Sequence, residues 1–120
     1  MKDFCIIGSG ISGSTIAHTL SKKYSLDVYD KARGAGGRSS NKKFNKKESF
    51  DHGVQYISPK SSQFKRFINN LITKKIVKKW PGKHIFLNKV KKEDKKHIKI
   101  IGNKGNNSIS KYLLKNINCI

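Results

Sequence analysis

Glycines, a carboxylate and a guanidinium at telling spacings mark the first third of this chain. Gly8, Gly10 and Gly13 fit Gly-x-Gly-x-x-Gly, Asp30 lies 17 residues beyond the last of them, and Arg38 closes the run Gly36-Gly37-Arg38. Each type suits one task. Gly8 permits a tight turn, Gly10 bares the backbone to a pyrophosphate, and Gly13 lets a helix pack closely on a strand. A helix opening at Ile11 and Ser12 presents unpaired N–H groups and a partial positive charge to phosphates, and the Ser12 hydroxyl adds a donor. Asp30 suits the two hydroxyls of an adenosine ribose and repels a 2′-phosphate. Arg38 suits a pyrophosphate, through charge-assisted hydrogen bonds. The chemistry implied is the binding of an adenine dinucleotide.

Such a cradle requires a strand before the glycines and a helix after them. Residues 2–7 are a short apolar run, fit for a buried strand. From Ile11 the pattern turns helical, with Ile16, Ala17 and Leu20 on one face and Lys22 and Lys23 at the negative end of the helix dipole. Residues 26–30 read as a second strand, which completes a βαβ unit. Residues 31–49 read as loop with a short strand near Phe44, and residues 50–57 as mostly extended. Ser58 and Pro59 suit a helix start, as N-cap and first helical residue. Phe64, Phe67, Ile68, Leu71 and Ile72 then form one apolar stripe. The runs IVKKW, HIFL and HIKII predict two or three antiparallel strands between Ile76 and Ile101, and residues 102–107 a loop. Ser108 suits the cap of a last helix with Ile109, Tyr112 and Leu113 on one face, and the closing NINCI reads as the beginning of a strand.

The order of motifs resembles a known family. DKARGAGGRSS followed by FDHGVQYIS is similar to the flavin-dependent amine oxidase superfamily, most closely its renalase-like branch. The matching positions are Asp30, Lys31, Gly36, Gly37 and Arg38, then Asp51, Gly53, Gln55 and Tyr56. Looser matches lie at Trp80 and in IGNKGNNSISKYLLKN. The resemblance implies an α/β fold: a Rossmann-like FAD-binding βαβ unit with a small antiparallel β segment and helices added. Residues 1–57 would hold the FAD-binding unit and flavin-pocket segments. Residues 58–120 would begin the substrate domain and return to the FAD domain. One noncovalent FAD is implied. Gly8, Gly10, Ile11, Ser12 and Gly13 would hold its pyrophosphate, Asp30 its ribose, and Arg38 would meet its phosphate–ribityl region, with Lys31, Gly36 and Gly37 as further cofactor-binding positions. Gly53, Val54, Gln55 and Tyr56 would line the flavin pocket. The implied reaction is hydride removal from a reduced amine or dihydronicotinamide-like small-molecule substrate to the flavin, which oxygen reoxidises. No catalytic residue is assigned; His52 reads as a hydrogen-bonded structural histidine. This chain has Asp where the family more often has Glu, and its helix–strand connection is one residue shorter. Family members are more than twice as long, so an N-terminal portion is expected, with a separately encoded C-terminal half as possible partner.

Composition bounds the rest. The 120 residues suit one domain, and 35% hydrophobic content, against roughly 45–50% apolar in ordinary domains, allows a modest core. Lys and Arg outnumber Asp and Glu 27 to 7, which excludes an acidic, ion-chelating protein. Of the basic residues 24 are Lys and 3 are Arg, beside 15 Ile and 10 Asn. Nucleic-acid recognition usually draws on Arg, so this balance reads as a solvated lysine surface without a specific nucleic-acid partner. No apolar run reaches the roughly 18 residues of a membrane span, so no membrane partner is expected. Cys5 and Cys119 are isolated thiols, outside any metal spacing, and with no secretion signal they suggest a cytoplasmic protein. Three alternatives stay open. An NAD-binding domain gives no role to Gly36-Gly37-Arg38. A basic nucleic-acid-binding module rests on lysine pairs from Lys42-Lys43 to Lys95-Lys96, and the last alternative is an inert remnant without activity.

Overall fold

The computed structural model describes residues 1–82 and 98–120. The first apolar run forms strand β1 (Phe4–Ile7), and the second forms β2 (Leu26–Tyr29). They pair in parallel, Phe4 opposite Leu26 through Ile7 opposite Tyr29, with helix α1 (Ile11–Leu20) as the crossover. The chain's end supplies the third parallel strand. Strand β7 (Asn118–Cys119) pairs with β2 at Asp27 and Val28, giving the order β1-β2-β7. The strand expected at NINCI is therefore present, far in sequence from its neighbour.

The central strand is the buried one. Leu26 and Val28 pack with Ala17 and Leu114, flanked by Ile6, Leu20, Ala35 and Ile117. Strand β1 departs from the buried strand expected, since Ile7 is 88% exposed and Phe4 41%. It lies at the sheet edge, and alternation sends Cys5 and Ile7 to the face opposite Ile6. Ile16 also departs from expectation, because it is exposed while Ser14 and Ala17 are buried. The reason is the short distance between helix and turn. A Cβ on Gly13 would lie 1.9 Å from the Gly8 carbonyl oxygen, so α1 turns its small residues inward.

The second half is built on side chains. Helix α2 (Ser62–Thr73) buries Ile68 and Leu71, with Phe64, Phe67 and Ile72 partly buried beside them. The helix begins later than Ser58-Pro59 suggests. Ile57 exchanges backbone hydrogen bonds with Ile100, which keeps the chain extended there, and the Ser61 hydroxyl caps the helix by accepting from the Phe64 N–H at 3.2 Å. Strands β5 (Val77–Lys79) and β6 (Ile100–Gly102) pair antiparallel and add Val77 and Ile100 to the same core. The expected HIFL strand, and the pairs Lys91-Lys92 and Lys95-Lys96, fall outside the described residues.

Helix α3 (Ser108–Leu113) joins the two halves. Ile109 and Leu113 enter the second core, and Leu114, just after it, enters the first. His18 of α1 bonds the Leu113 carbonyl at 3.2 Å. The N-cap position is Asn107, not Ser108, and the Asn107 side chain makes no capping bond. Between β2 and α2 in the chain comes a hairpin, β3 (Asn41–Lys43) paired antiparallel with β4 (Ser49–Asp51).

Candidate functional site

The glycine turn connects β1 to α1. Gly8 lies in the left-handed region at φ +97° and donates its N–H to the Tyr29 carbonyl at 2.7 Å. Gly10 is the N-cap of α1 and supplies no side-chain cap, and the first turn of the helix contains no acid. The opening amides of α1 therefore have neither an intrahelical acceptor nor a competing carboxylate, which suits an anion. Ile11 and Ser12 lie exposed at this mouth.

Asp30 ends β2 and faces the same turn. One carboxylate oxygen accepts from both the Ser9 N–H, at 2.6 Å, and the Ser9 hydroxyl. The other accepts from the Ala32 N–H at 2.8 Å. The Ser9 hydroxyl, then the Ala32 and Ser9 amides, hold Asp30 below the usual carboxylate range, against a smaller opposing effect of burial. A carboxylate has about four acceptor positions. Three are taken, which leaves one acceptor position of Asp30 open among the described residues.

A second loop closes over the turn. The Gly36 N–H donates to the Ser9 carbonyl at 3.0 Å, and Gly36 and Gly10 form a parallel bridge. Gly37–Ser39 is a single 3-10 turn that carries Arg38 with its side chain exposed. The Arg38 carbonyl accepts from the Val54 N–H at 2.9 Å. Gly53 makes this contact possible, because a Cβ there would lie 2.1 Å from the Arg38 oxygen. Backbone contacts thus join the glycine turn to Gly36-Gly37-Arg38, and that loop to the segment around Gly53 and Val54.

The remaining sequence-predicted residues lie farther out. Lys31 and Gln55 are exposed. Tyr56 turns to the second sheet, its ring 5.3 Å from that of Trp80, with Lys99 Nζ 4.9 Å from its centroid. His52 bonds the Ser40 hydroxyl through Nε2 at 3.0 Å, a structural contact. Among the described residues no group of three or more His, Cys, Asp or Glu could hold a metal ion, and no helix is long and apolar enough to cross a membrane.

Sequence reasoning missed Ser9, Asn106 and Asn107. Asn106 is wholly buried and bonds the backbone of both Val54 and Gln55. Asn107 donates to the Ala35 carbonyl at 3.3 Å. Its Oδ1 is buried and has no partner among the described residues, as is true of Ser110 Oγ. An unpaired buried polar atom costs roughly 1–3 kcal/mol, so its place beside the Gly36 loop marks a polar site. The available signal was the Asn doublet itself, in a loop between two apolar runs.

This geometry has counterparts. Residues 6–71 match the NAD(P)-binding Rossmann-like domain family. A solved structure of putrescine oxidase, a double mutant from a structure-based redesign of cofactor binding, is similar at 26% identity and a TM-score of 0.50. The similarity covers 66% of this chain and 17% of that one, so this chain spans only a small part of the oxidase's length. Both findings agree with the α/β fold and the kinship read from the motifs.

Proposed function

The chain belongs to the NAD(P)-binding Rossmann-like domain family, and from that membership we propose that it binds FAD as part of an oxidoreductase of the flavin amine oxidase type. The observation that carries this reading is the convergence on Ser9. Asp30, the uncapped first turn of α1 and the Gly36 loop all meet there. The residues fit the group. The opening amides of α1 receive the pyrophosphate, and Asp30 receives the adenosine ribose. Arg38 supplies a positive charge to the phosphate–ribityl stretch, and Gly53 to Gln55 border the ring. The uncapped helix end and the buried Asn107 Oδ1, without a partner among the described residues, support that fit.

The flavin, when bound, supplies the electron sink for hydride removal from a reduced amine or dihydronicotinamide-like carbon. This chain's part is binding and orientation. Asp30 is ionised at neutral pH, with Ser9 and Ala32 holding its charge further, so it accepts from hydroxyls and disfavours a 2′-phosphate. A purely NAD-binding domain is the weaker reading, because it leaves the bridge from Gly10 to Gly36 and the link from Arg38 to Val54 without a task.

The test is retention of FAD by the full chain after desalting, read as visible absorbance, alongside titration with NAD. Wild type retains FAD, and Asp30→Ala weakens binding roughly tenfold or more, as expected when a charged hydrogen-bond acceptor is lost. Binding of NAD with no retention of FAD would overturn the reading.

A further inference from the structure

The two loops assigned to the phosphate–ribityl region and to the flavin ring are gripped from one place, the turn between β6 and α3. Asn106 is fully buried there. Its side-chain amide donates to the Val54 carbonyl at 2.6 Å and the Gln55 carbonyl at 3.3 Å. Its side-chain oxygen accepts from the Gly102 N–H at 2.9 Å, and its own N–H donates to Asp51 Oδ1 at 2.8 Å. Every strong donor and acceptor of this side chain is committed, so it acts as a rigid strut between β6 and residues 51–55. Asn107 grips the other loop. It donates to the Ala35 carbonyl, and its Cβ stands 2.8 Å from where a Cβ on Gly36 would lie. Gly36, at φ +136°, accepts this approach only because it lacks a side chain.

We propose that Asn106 and Asn107 are positioning residues for the cofactor: Asn106 sets the segment from Asp51 to Gln55, and Asn107 sets Ala35 and Gly36. The proposal rests on the FAD reading above. It gives the second half of the chain, which matches the family's motifs only loosely, a role in binding. Adjacent residues hold both loops, so the loops share one reference frame, and a shift of β6 reaches phosphate and ring ends together. Asn107 Oδ1, buried beside Gly36, has no partner among the described residues, which leaves this side chain an acceptor for the cofactor.

Asn106→Asp and Asn107→Asp test this, since each keeps the shape and removes the donor. In the chain without FAD, amide hydrogen exchange reads the clamp directly. Asn107→Asp speeds exchange at Gly36, Ser39 and Ser40, and Asn106→Asp speeds it at Val54, while amides of β2 are unchanged. Each variant also weakens FAD binding roughly five- to tenfold, the scale of one net hydrogen bond. Asn106→Asp alters the shape of the bound flavin's visible band; Lys104→Ala, at an exposed position in the same loop, does not. Unchanged exchange at these amides overturns the proposal, as does faster exchange with unchanged FAD affinity. Should Asn106→Asp fail to fold, Asn107→Asp, which loses a single 3.3 Å bond, carries the test. A wild-type chain that binds no FAD refutes the reading under Proposed function, while the exchange measurements still decide whether the clamp exists.

Discussion

The glycine turn and the second sheet are held together in opposite ways. Around the turn, backbone meets backbone: Gly13 against Gly8, Gly53 against Arg38, and Gly36 against Ser9. Its apolar core is small, with Ala17, Leu26, Val28 and Leu114 as the buried members. In the second half Ile68, Leu71, Val77, Ile100, Ile109 and Leu113 form a larger cluster. The difference separates two jobs. Apolar side chains stabilise without regard to any ligand, whereas bare backbone stabilises less and leaves amides and carbonyls within a ligand's reach. The region proposed to bind the cofactor is therefore the region with little tolerance for an added atom.

The largest break in that contrast comes from Gly13→Val. Its Cβ meets the Gly8 carbonyl at 1.9 Å, and a backbone oxygen has no rotamer by which to yield. The expected cost is about 3 kcal/mol or more, at the upper end of overpacking penalties, with FAD retention abolished. Urea unfolding and desalting with FAD measure both. Retained FAD would mean that close approach is not what holds the turn.

Leu71→Ala probes the other region and comes next in size. Leu71 is 1% exposed, and its truncation costs roughly 2–5 kcal/mol with a cavity left behind. FAD affinity measured well below the unfolding midpoint should change less than threefold. A large loss of affinity at full folding would show that the second core shapes the site as strongly as the glycines do.

What could be read from the sequence follows the same division. Strand, turn, helix and strand were legible because Gly8, Gly10, Gly13 and Asp30 lie within thirty residues, and the α2 stripe because its period is local. The closing strand was legible as apolar residues, but its partner β2 was not. Ile16 misled because helical periodicity records which residues share a face, not how close the opposing backbone lies. Ser58 misled because the bond between Ile57 and Ile100 spans 43 positions and overrides the local cap. Asn106 was hard to read for the same reason: it reaches Asp51 across 55 positions, and an Asn pair in a loop has no periodicity that names its partner.

Acid offers the finest probe, because among the described residues the carboxylates with depressed pKa lie in the first region. Ser25 holds Asp3 low through its hydroxyl and amide, Asn118 and then Lys2 hold Asp27 low, and Ser9 holds Asp30 low. A group whose folded pKa lies below its unfolded value stabilises the fold fully above the unfolded value, and that stability is lost as pH falls through the folded value. Among the described residues, α2, β5 and β6 contain no carboxylate to lose. Acidification should therefore loosen β1 and β2 before α2, by a modest amount because Asp3 is exposed and Asp30 only partly buried. Hydrogen exchange across an acid titration reads the order, with amides of β2 losing protection at a higher pH than those of α2. Asp30→Asn should remove part of the difference by weakening β2 already at neutral pH. Simultaneous loss in both regions would mean that α3, which enters both cores, couples them into one cooperative unit, and the contrast between backbone-built and side-chain-built halves would then describe their construction but not their stability.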